Sequence, residues 1–284
     1  MTKRTFSLFA GLALLGCAGL SSRATERELR VMTWNIHAGT DAHGAPSLDR
    51  IGAAIRAAEP DILLLQEVDS ATRRSNGVDQ LAVLAASTGM QGVFGRSLDY
   101  QGGGYGIAIL SRHPIVGRQT IRLRVEPPQE RAGGAYEPRS ALVARIRVGG
   151  DTIEVVNTHI DASRDDFYRL QEIRTVLAIA GERRGSVGVA AARPAGAAAG
   201  RAVILGGDLN SEPESEVQRL VRDTGWRDAW TNCGGGGPGL SYPDSASRKR
   251  IDYLYLGPEW RCRGARVVPN GASDHAPVIV ELQR

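Results

Sequence analysis

Four mostly apolar runs in this chain share one construction. Residues 31–34 lead into Asn35, and residues 62–65 lead into Gln66 and Glu67. Residues 153–156, broken only by Glu154, lead into Asn157, Thr158 and His159. Residues 203–205 pass through Gly206 and Gly207 to Asp208, Leu209 and Asn210. Runs without polar alternation read as strands buried on both faces. An acid or amide at the lip of such a strand is costly unless a cation or a hydrogen-bond network compensates it. Capping the next helix explains one such ending. Four endings of this kind point to one shared site.

Between these runs the period changes. Ser47 is placed to cap a helix whose apolar positions Leu48, Ile51, Ile55 and Ala58 share a face, and Pro60 stops it. A second helix is predicted over 79–88. The best-formed one is expected over 165–180, where Leu170, Ile173, Leu177 and Ala180 make one stripe. Pro213 opens a short helix carrying Val217, Leu220 and Val221. Further strands are expected at 91–94, 107–110, 115–123, 140–148, 152–157, 251–256, 266–268 and 278–282. Gly149 and Gly150 join two of these as a hairpin. Helices and strands interleave, yet several strand pairs are hairpins. The expected class is therefore α/β (α+β), with stacked mixed sheets flanked by helices, and not a doubly wound parallel sheet.

No internal repeat is visible, and every candidate site residue falls between Asn35 and His275, so residues 25–284 read as a single domain. Residues 181–200 are rich in Ala, Gly and Arg and read as a low-complexity surface loop. They do not read as a linker, because the site needs both sides of them. Residues 1–24 read as an export signal: Lys3 and Arg4 precede an apolar run, 6–20, too short for a comfortable bilayer span. Two endings compete. Residues 14–17 resemble a bacterial lipoprotein box that would leave a lipidated Cys17 as a membrane tether. Ser22, Arg23 and Ala24 offer an ordinary cleavage site. Either way the chain is expected to be exported, to the periplasm, as an anchored lipoprotein or secreted. In that oxidising setting Cys233 and Cys262 are a candidate disulfide, and no Cys-x-x-Cys spacing argues for zinc.

Composition adds one constraint. The net charge is +4, but removal of residues 1–24 leaves 32 basic against 31 acidic residues. The pI near 9.2 is therefore poor evidence for a polyanionic partner.

The chemistry-bearing residues follow. Glu67 ends an apolar strand, and a hard cation such as Mg2+ takes one or two carboxylates with other positions left to water and phosphate. Asn35 supplies a second oxygen ligand or a turn. Asp252 is the one acid in an otherwise apolar or tyrosyl strand, and a histidine proton is its natural partner, with His275 available. Asp274, adjacent to His275, points elsewhere.

These residues stand in short motifs: TWNIH around Asn35, LLLQEV around Glu67, GIAILSR at 106–112, NTHID at 157–161, GGDLN at 206–210, RIDYLYL at 250–256 and SDHAPV at 273–278. In that order they resemble the endonuclease/exonuclease/phosphatase superfamily over residues 29–283. That superfamily shares the fold of deoxyribonuclease-I-like nucleases, neutral sphingomyelinases and inositol-polyphosphate 5-phosphatases. The resemblance implies a four-layer sandwich of two packed mixed β-sheets flanked by helices. It also implies a cofactor, Mg2+, for which Mn2+ may substitute, bound by Glu67 with Asn35 and Asp274 nearby, directly or through water. Asp208 would orient or deprotonate the attacking water, and Asn210 would steady a phosphoryl oxygen. His275, held by Asp252, would donate to the phosphate or serve as base. His159 and Arg139 would contact the phosphate. Two departures stand out. Ile107 occupies a position where many relatives carry asparagine, and no acid lies between Tyr100 and Leu110 to pair with His159. His37, His43 and His113 match no catalytic position, although His37 is close enough to Asn35 to reach a substrate.

The expected activity is Mg2+-dependent hydrolysis of a phosphodiester or phosphomonoester by in-line attack of water, on a small or lipid-like substrate, by a monomer. A secreted endonuclease is the alternative, and a non-catalytic binding module on the same fold is the second. Nucleic acid is not favoured. The cluster Arg248-Lys249-Arg250 is short, and the loops at 102–104 and 234–237 carry no aromatic platform, although Tyr100, Tyr105 and Tyr242 flank them. A serine esterase lacks its Gly-x-Ser-x-Gly elbow here.

Overall fold

A computed structural model of the chain describes Met1, residues 28–185 and residues 201–284. The export segment with Cys17, and residues 186–200 of the expected surface loop, lie outside the described residues. Two six-stranded sheets pack face to face. The first contains β1 (Glu28–Asn35), β2 (Ile62–Ser70), β3 (Gln91–Tyr100), β4 (Gly103–Ser111), β11 (Arg261–Val267) and β12 (Val278–Gln283). Its order is β11-β12-β1-β2-β4-β3, with only β1 and β2 parallel. The second contains β5 (Ile115–Leu123), β6 (Arg139–Val148), β7 (Asp151–His159), β8 (Ala202–Asp208), β9 (Arg227–Asp228) and β10 (Asp252–Leu256). Its order is β5-β6-β7-β8-β10-β9, with only β7 and β8 parallel.

The four-layer arrangement follows from residue alternation along the central strands. In β2, Ile62 and Leu64 face the opposite sheet, where they meet Leu142, Val155 and Ile204. Leu63 and Leu65 face outward against Ile51 and Ile55 of α1 (Leu48–Ala58) and Leu84 of α2 (Gln80–Thr88). In β8, Ile204 is inward while Val203 and Leu205 pack under Ile173 and Val176 of α3 (Phe167–Arg184) and Val217 of α4 (Glu216–Asp223). Each such strand is wanted apolar on both sides, which is why its sequence shows no alternation. A short α5 (Ala229–Asn232) leads to Cys233, which is disulfide-bonded to Cys262 of β11 with Cα atoms 5.0 Å apart.

Several boundaries differ from the sequence reading. Helix α3 continues past Gly181 to Arg184, because Glu182, Arg183 and Arg184 favour helix and Gly185, at φ +72°, supplies the left-handed stop. Strand β3 runs six residues beyond the expected Phe94, paired with β4 up to Tyr100 and Gly103. Helix α4 starts after Ser215, whose hydroxyl accepts the Gln218 amide, and not at Pro213. Ser47 stands at the start of α1, but its hydroxyl donates to the Ala272 carbonyl instead of capping the helix. That bond ties the helix to the loop that carries Asp274.

Candidate active site

Strand β2 is bulged between Leu65 and Val68, and Glu67 sits there at φ +55°. The extra residue swings the Glu67 side chain out of the ladder toward the cleft. Asn157 crosses from the facing sheet to hold this bulge: its Nδ2 donates to the Leu65 and Ala108 carbonyls, both at 2.8 Å, and its Oδ1 accepts from Gln66 Nε2 at 2.8 Å. Asn157 is fully buried and belongs to the seam between the sheets, whereas His159, two residues on, reaches the site.

Register does the rest. Asp208 on β8 is the ladder partner of both His159 on β7 and Asp252 on β10. The Gly-Gly pair before Asp208 is needed because Gly207, at φ +137°, would place a Cβ 1.9 Å from the Thr158 carbonyl oxygen. Past the strand end, the Asn210 amide donates to Asp208 Oδ1 at 2.8 Å, folding Asn210 back over the strand.

His275 donates from Nδ1 to Asp252 Oδ2 at 2.8 Å, and the Ser241 hydroxyl donates to the same oxygen at 2.6 Å. Trp34 Nε1 donates to the His275 backbone carbonyl at 2.8 Å, so the main chain that carries the imidazole is also fixed. Its Nε2 lies 3.7 Å from Asp208 Oδ2. Burial by itself would lower the pKa of His275. The Asp252 charge and hydrogen bond, joined by Asp208 and Asp274, outweigh it and raise that pKa to about 10. Burial and the neighbouring Asp252 charge push the Asp208 carboxyl up to about 7. The pair is thus a cationic imidazole beside a carboxyl of unusual basicity.

Asn35 spans the floor. Its Nδ2 lies 3.0 Å from Glu67 Oε1 and 3.0 Å from Asp208 Oδ2, donating to both, while its Oδ1 accepts from the His37 amide. Glu67 and Asp274 line the same cleft, and together with Asp208 their charges raise the Tyr242 hydroxyl, after burial. Three carboxylates facing one cationic imidazole leave an excess of hard-oxygen negative charge. That donor set suits a hard divalent cation, with Glu67 and Asp274 as the carboxylates that would hold it. Asp208, Asp252 and His275 also bring ligand atoms within 4.8 Å of one another, but Asp252 and His275 Nδ1 are already engaged with each other.

The phosphate-binding candidates sit beside this floor. Asn210 Nδ2 donates to the Ile160 carbonyl and stands 3.0 Å from His159 Nε2. Arg139 stands behind His159, only 2% exposed, with Nη1 donating to His159 Nδ1 at 2.9 Å and Nη2 to the Gly134 carbonyl at 3.2 Å. Glu137 holds Arg139 at 2.8 Å. Sequence reasoning passed over Glu137, which lay in a Pro/Gly loop, and over Ser241. Of the remaining histidines, His37 comes within 3.8 Å of Asp274 Oδ1, while neither His43 nor His113 is among the cleft residues. Ile107 is buried between the sheets.

Glu67, Arg139, His159, Asp208, Asn210, Asp274 and His275 open into one cleft of about 820 Å3, walled also by Arg74, Tyr100, Tyr105, Arg164, Arg169 and Tyr242. The structure is similar to an endonuclease/exonuclease/phosphatase of Beutenbergia cavernae, at 24% identity over 90% of this chain and 72% of that one, with a TM-score of 0.69. It is also similar to the mannosyl-6-phosphatase of Bacteroides thetaiotaomicron, at 19% identity over 89% of this chain and 99% of that one, again with a TM-score of 0.69. At such identities these likenesses bear on the fold alone. In sequence, 126 residues are 34% identical to the protein cwh43 of Schizosaccharomyces pombe, covering 44% of this chain but 12% of that much longer one. The pattern of the Endonuclease/Exonuclease/phosphatase family is matched by residues 32–275, a span that runs from the strand carrying Asn35 to His275 itself. With most of the sandwich, the bulged Glu67 strand and the Asp252–His275 pair inside that span, the chain belongs to the endonuclease/exonuclease/phosphatase family.

Proposed function

We propose that this protein is a Mg2+-dependent phosphoesterase that hydrolyses a phosphodiester or phosphomonoester of a small or lipid-like molecule. Members of its family are usually hydrolases of phosphoester bonds and generally depend on a divalent metal. The observation that carries the reading is the convergence of Asp208, Asn210, His159 and the Asp252–His275 pair with Glu67 and Asp274 in one cleft. When bound, the cation would supply charge neutralisation at the phosphoryl oxygens.

The chain's own residues divide the remaining work. Asp208, with its raised pKa, orients a water and accepts its proton as the oxygen attacks phosphorus. Asn210 and His159 offer N–H groups to the phosphoryl oxygens, where negative charge builds. His275 carries its proton at neutral pH, which favours donation, to a phosphoryl or departing oxygen, over service as a base. Asp252 keeps that imidazole charged and aimed.

Support for a small substrate comes from size and charge. A cleft of about 820 Å3 falls within the range of small-ligand sites. The short basic cluster is divided: Arg250 is buried in an ion pair with Asp228 and lies over Tyr253, leaving Lys249 at the cleft. Three tyrosines do line the cleft, so aromatic contact with a substrate is available. The export reading of residues 1–24 belongs to this proposal too, because it brings the site to lipid headgroups and scavenged phosphoesters. Turnover of plasmid DNA, a phospholipid, a soluble phosphodiester and a sugar phosphate should be compared with Mg2+ at matched low salt. Efficient plasmid nicking without turnover of the others would make the endonuclease reading the correct one.

A further inference from the structure

His159 has unusual company. Arg139 has donors only, so its Nη1 at 2.9 Å from Nδ1 makes Nδ1 an acceptor and places the imidazole proton on Nε2. Arg139 cannot readily leave, because Glu137 pairs with it at 2.8 Å and both side chains are nearly inaccessible. Among the described residues, the carboxylate within ion-pairing distance of His159 is Asp208, which approaches Nε2 at 3.6 Å and leaves Nδ1 to Arg139. Burial, then the charges of Arg139 and His275, hold the ring well below its ordinary pKa. On the cleft side, the Nε2 proton faces Asn210 Nδ2 at 3.0 Å, and that amide already donates to the Ile160 carbonyl. Two N–H groups therefore converge without an acceptor between them. An anionic oxygen entering the cleft accepts from both and removes the conflict.

We propose that Arg139, backed by Glu137, is a positioning residue that fixes His159 as a neutral Nε2–H donor to a phosphoryl oxygen, where a carboxylate partner would instead make it an imidazolium acid. This rests on the phosphoesterase reading and deepens it. His159 then contributes a hydrogen bond and no proton, which leaves His275 as the cationic donor. It is also consistent with a β4 that carries no acid to meet His159.

The test is long-range proton–nitrogen NMR of the full chain labelled with 15N-histidine at pH 7, with His159 assigned from its loss in His159→Gln. The expected spectrum shows Nδ1 unprotonated and Nε2 protonated. Inorganic phosphate should move the Nε2 resonance, and Arg139→Met should abolish the tautomer preference and lower kcat by roughly 10²–10³-fold, as loss of an oxyanion donor does. Arg139→Lys, which keeps a donor, should restore part of both. A protonated Nδ1 or an imidazolium in the wild-type spectrum overturns the proposal, and so does an unchanged tautomer in a folded Arg139→Met. Because the wild-type spectrum is read without turnover, the proposal stays testable if that variant does not fold. Failure of the phosphoesterase reading would appear separately, as wild-type protein that turns over no phosphoester whatever its tautomer.

Discussion

Asn157→Leu tests whether the seam between the sheets holds the site together. Leucine keeps the branched heavy-atom skeleton of asparagine with bulkier methyl ends, so the change removes hydrogen bonds without opening a cavity. The Leu65 and Ala108 carbonyls would each lose a buried donor now at 2.8 Å, and Gln66 Nε2 would keep only Thr33 Oγ1 of its two acceptors. A lost buried hydrogen bond costs about 0.5–1.5 kcal/mol, and up to about 3 where its partner is left unsatisfied, so the three bonds together predict a loss of about 3–5 kcal/mol. That is a large part of the roughly 5–15 kcal/mol by which domains are stable. Urea unfolding at pH 7, followed by tryptophan fluorescence, measures it. Because the same bonds pin the bulge that aims Glu67, the Mg2+ concentration for half-maximal turnover should rise as well. A loss below about 1 kcal/mol, with unchanged Mg2+ dependence, would refute the claim that Asn157 couples the sheets to the site.

Chelation should abolish turnover and Mg2+ or Mn2+ restore it, while Glu67→Ala should lose Mg2+ binding by calorimetry and remain folded; full activity in excess chelator would remove the metal from the reading. Asp252→Asn should lower kcat by about 10²-fold or more with little change in KM, since it leaves His275 in place without the charge that orients it. Near-normal kcat would show that His275 does not depend on Asp252. Thiol labelling under non-reducing denaturation should find Cys233 and Cys262 unreactive, and their replacement by serine should cost about 3–4 kcal/mol on the loop-length model. Two reactive thiols would mean that there is no bridge.

The sequence by itself determined the strand ends and most of their chemistry. Apolar runs without alternation required strands covered on both faces, and the structure covers each with the opposite sheet and with helices. A lone acid in a buried strand required a partner, and Asp252 meets His275 across 23 residues. What the sequence left undecided was which side chains of a motif turn inward. Asn157 and His159 look equally competent in NTHID, yet strand alternation does not separate them, because they lie on the same face. Only the facing bulge between Leu65 and Val68 consumes Asn157, and only the level register of β7, β8 and β10 delivers His159 to Asp208. Asn35 likewise read as a ligand or a turn former, and only the tertiary structure places its amide between Glu67 and Asp208. Glu137 was hidden for the opposite reason. A glutamate in a Pro/Gly loop carries no period, and its role exists only once the chain buries it against Arg139 and, through Arg139, against His159.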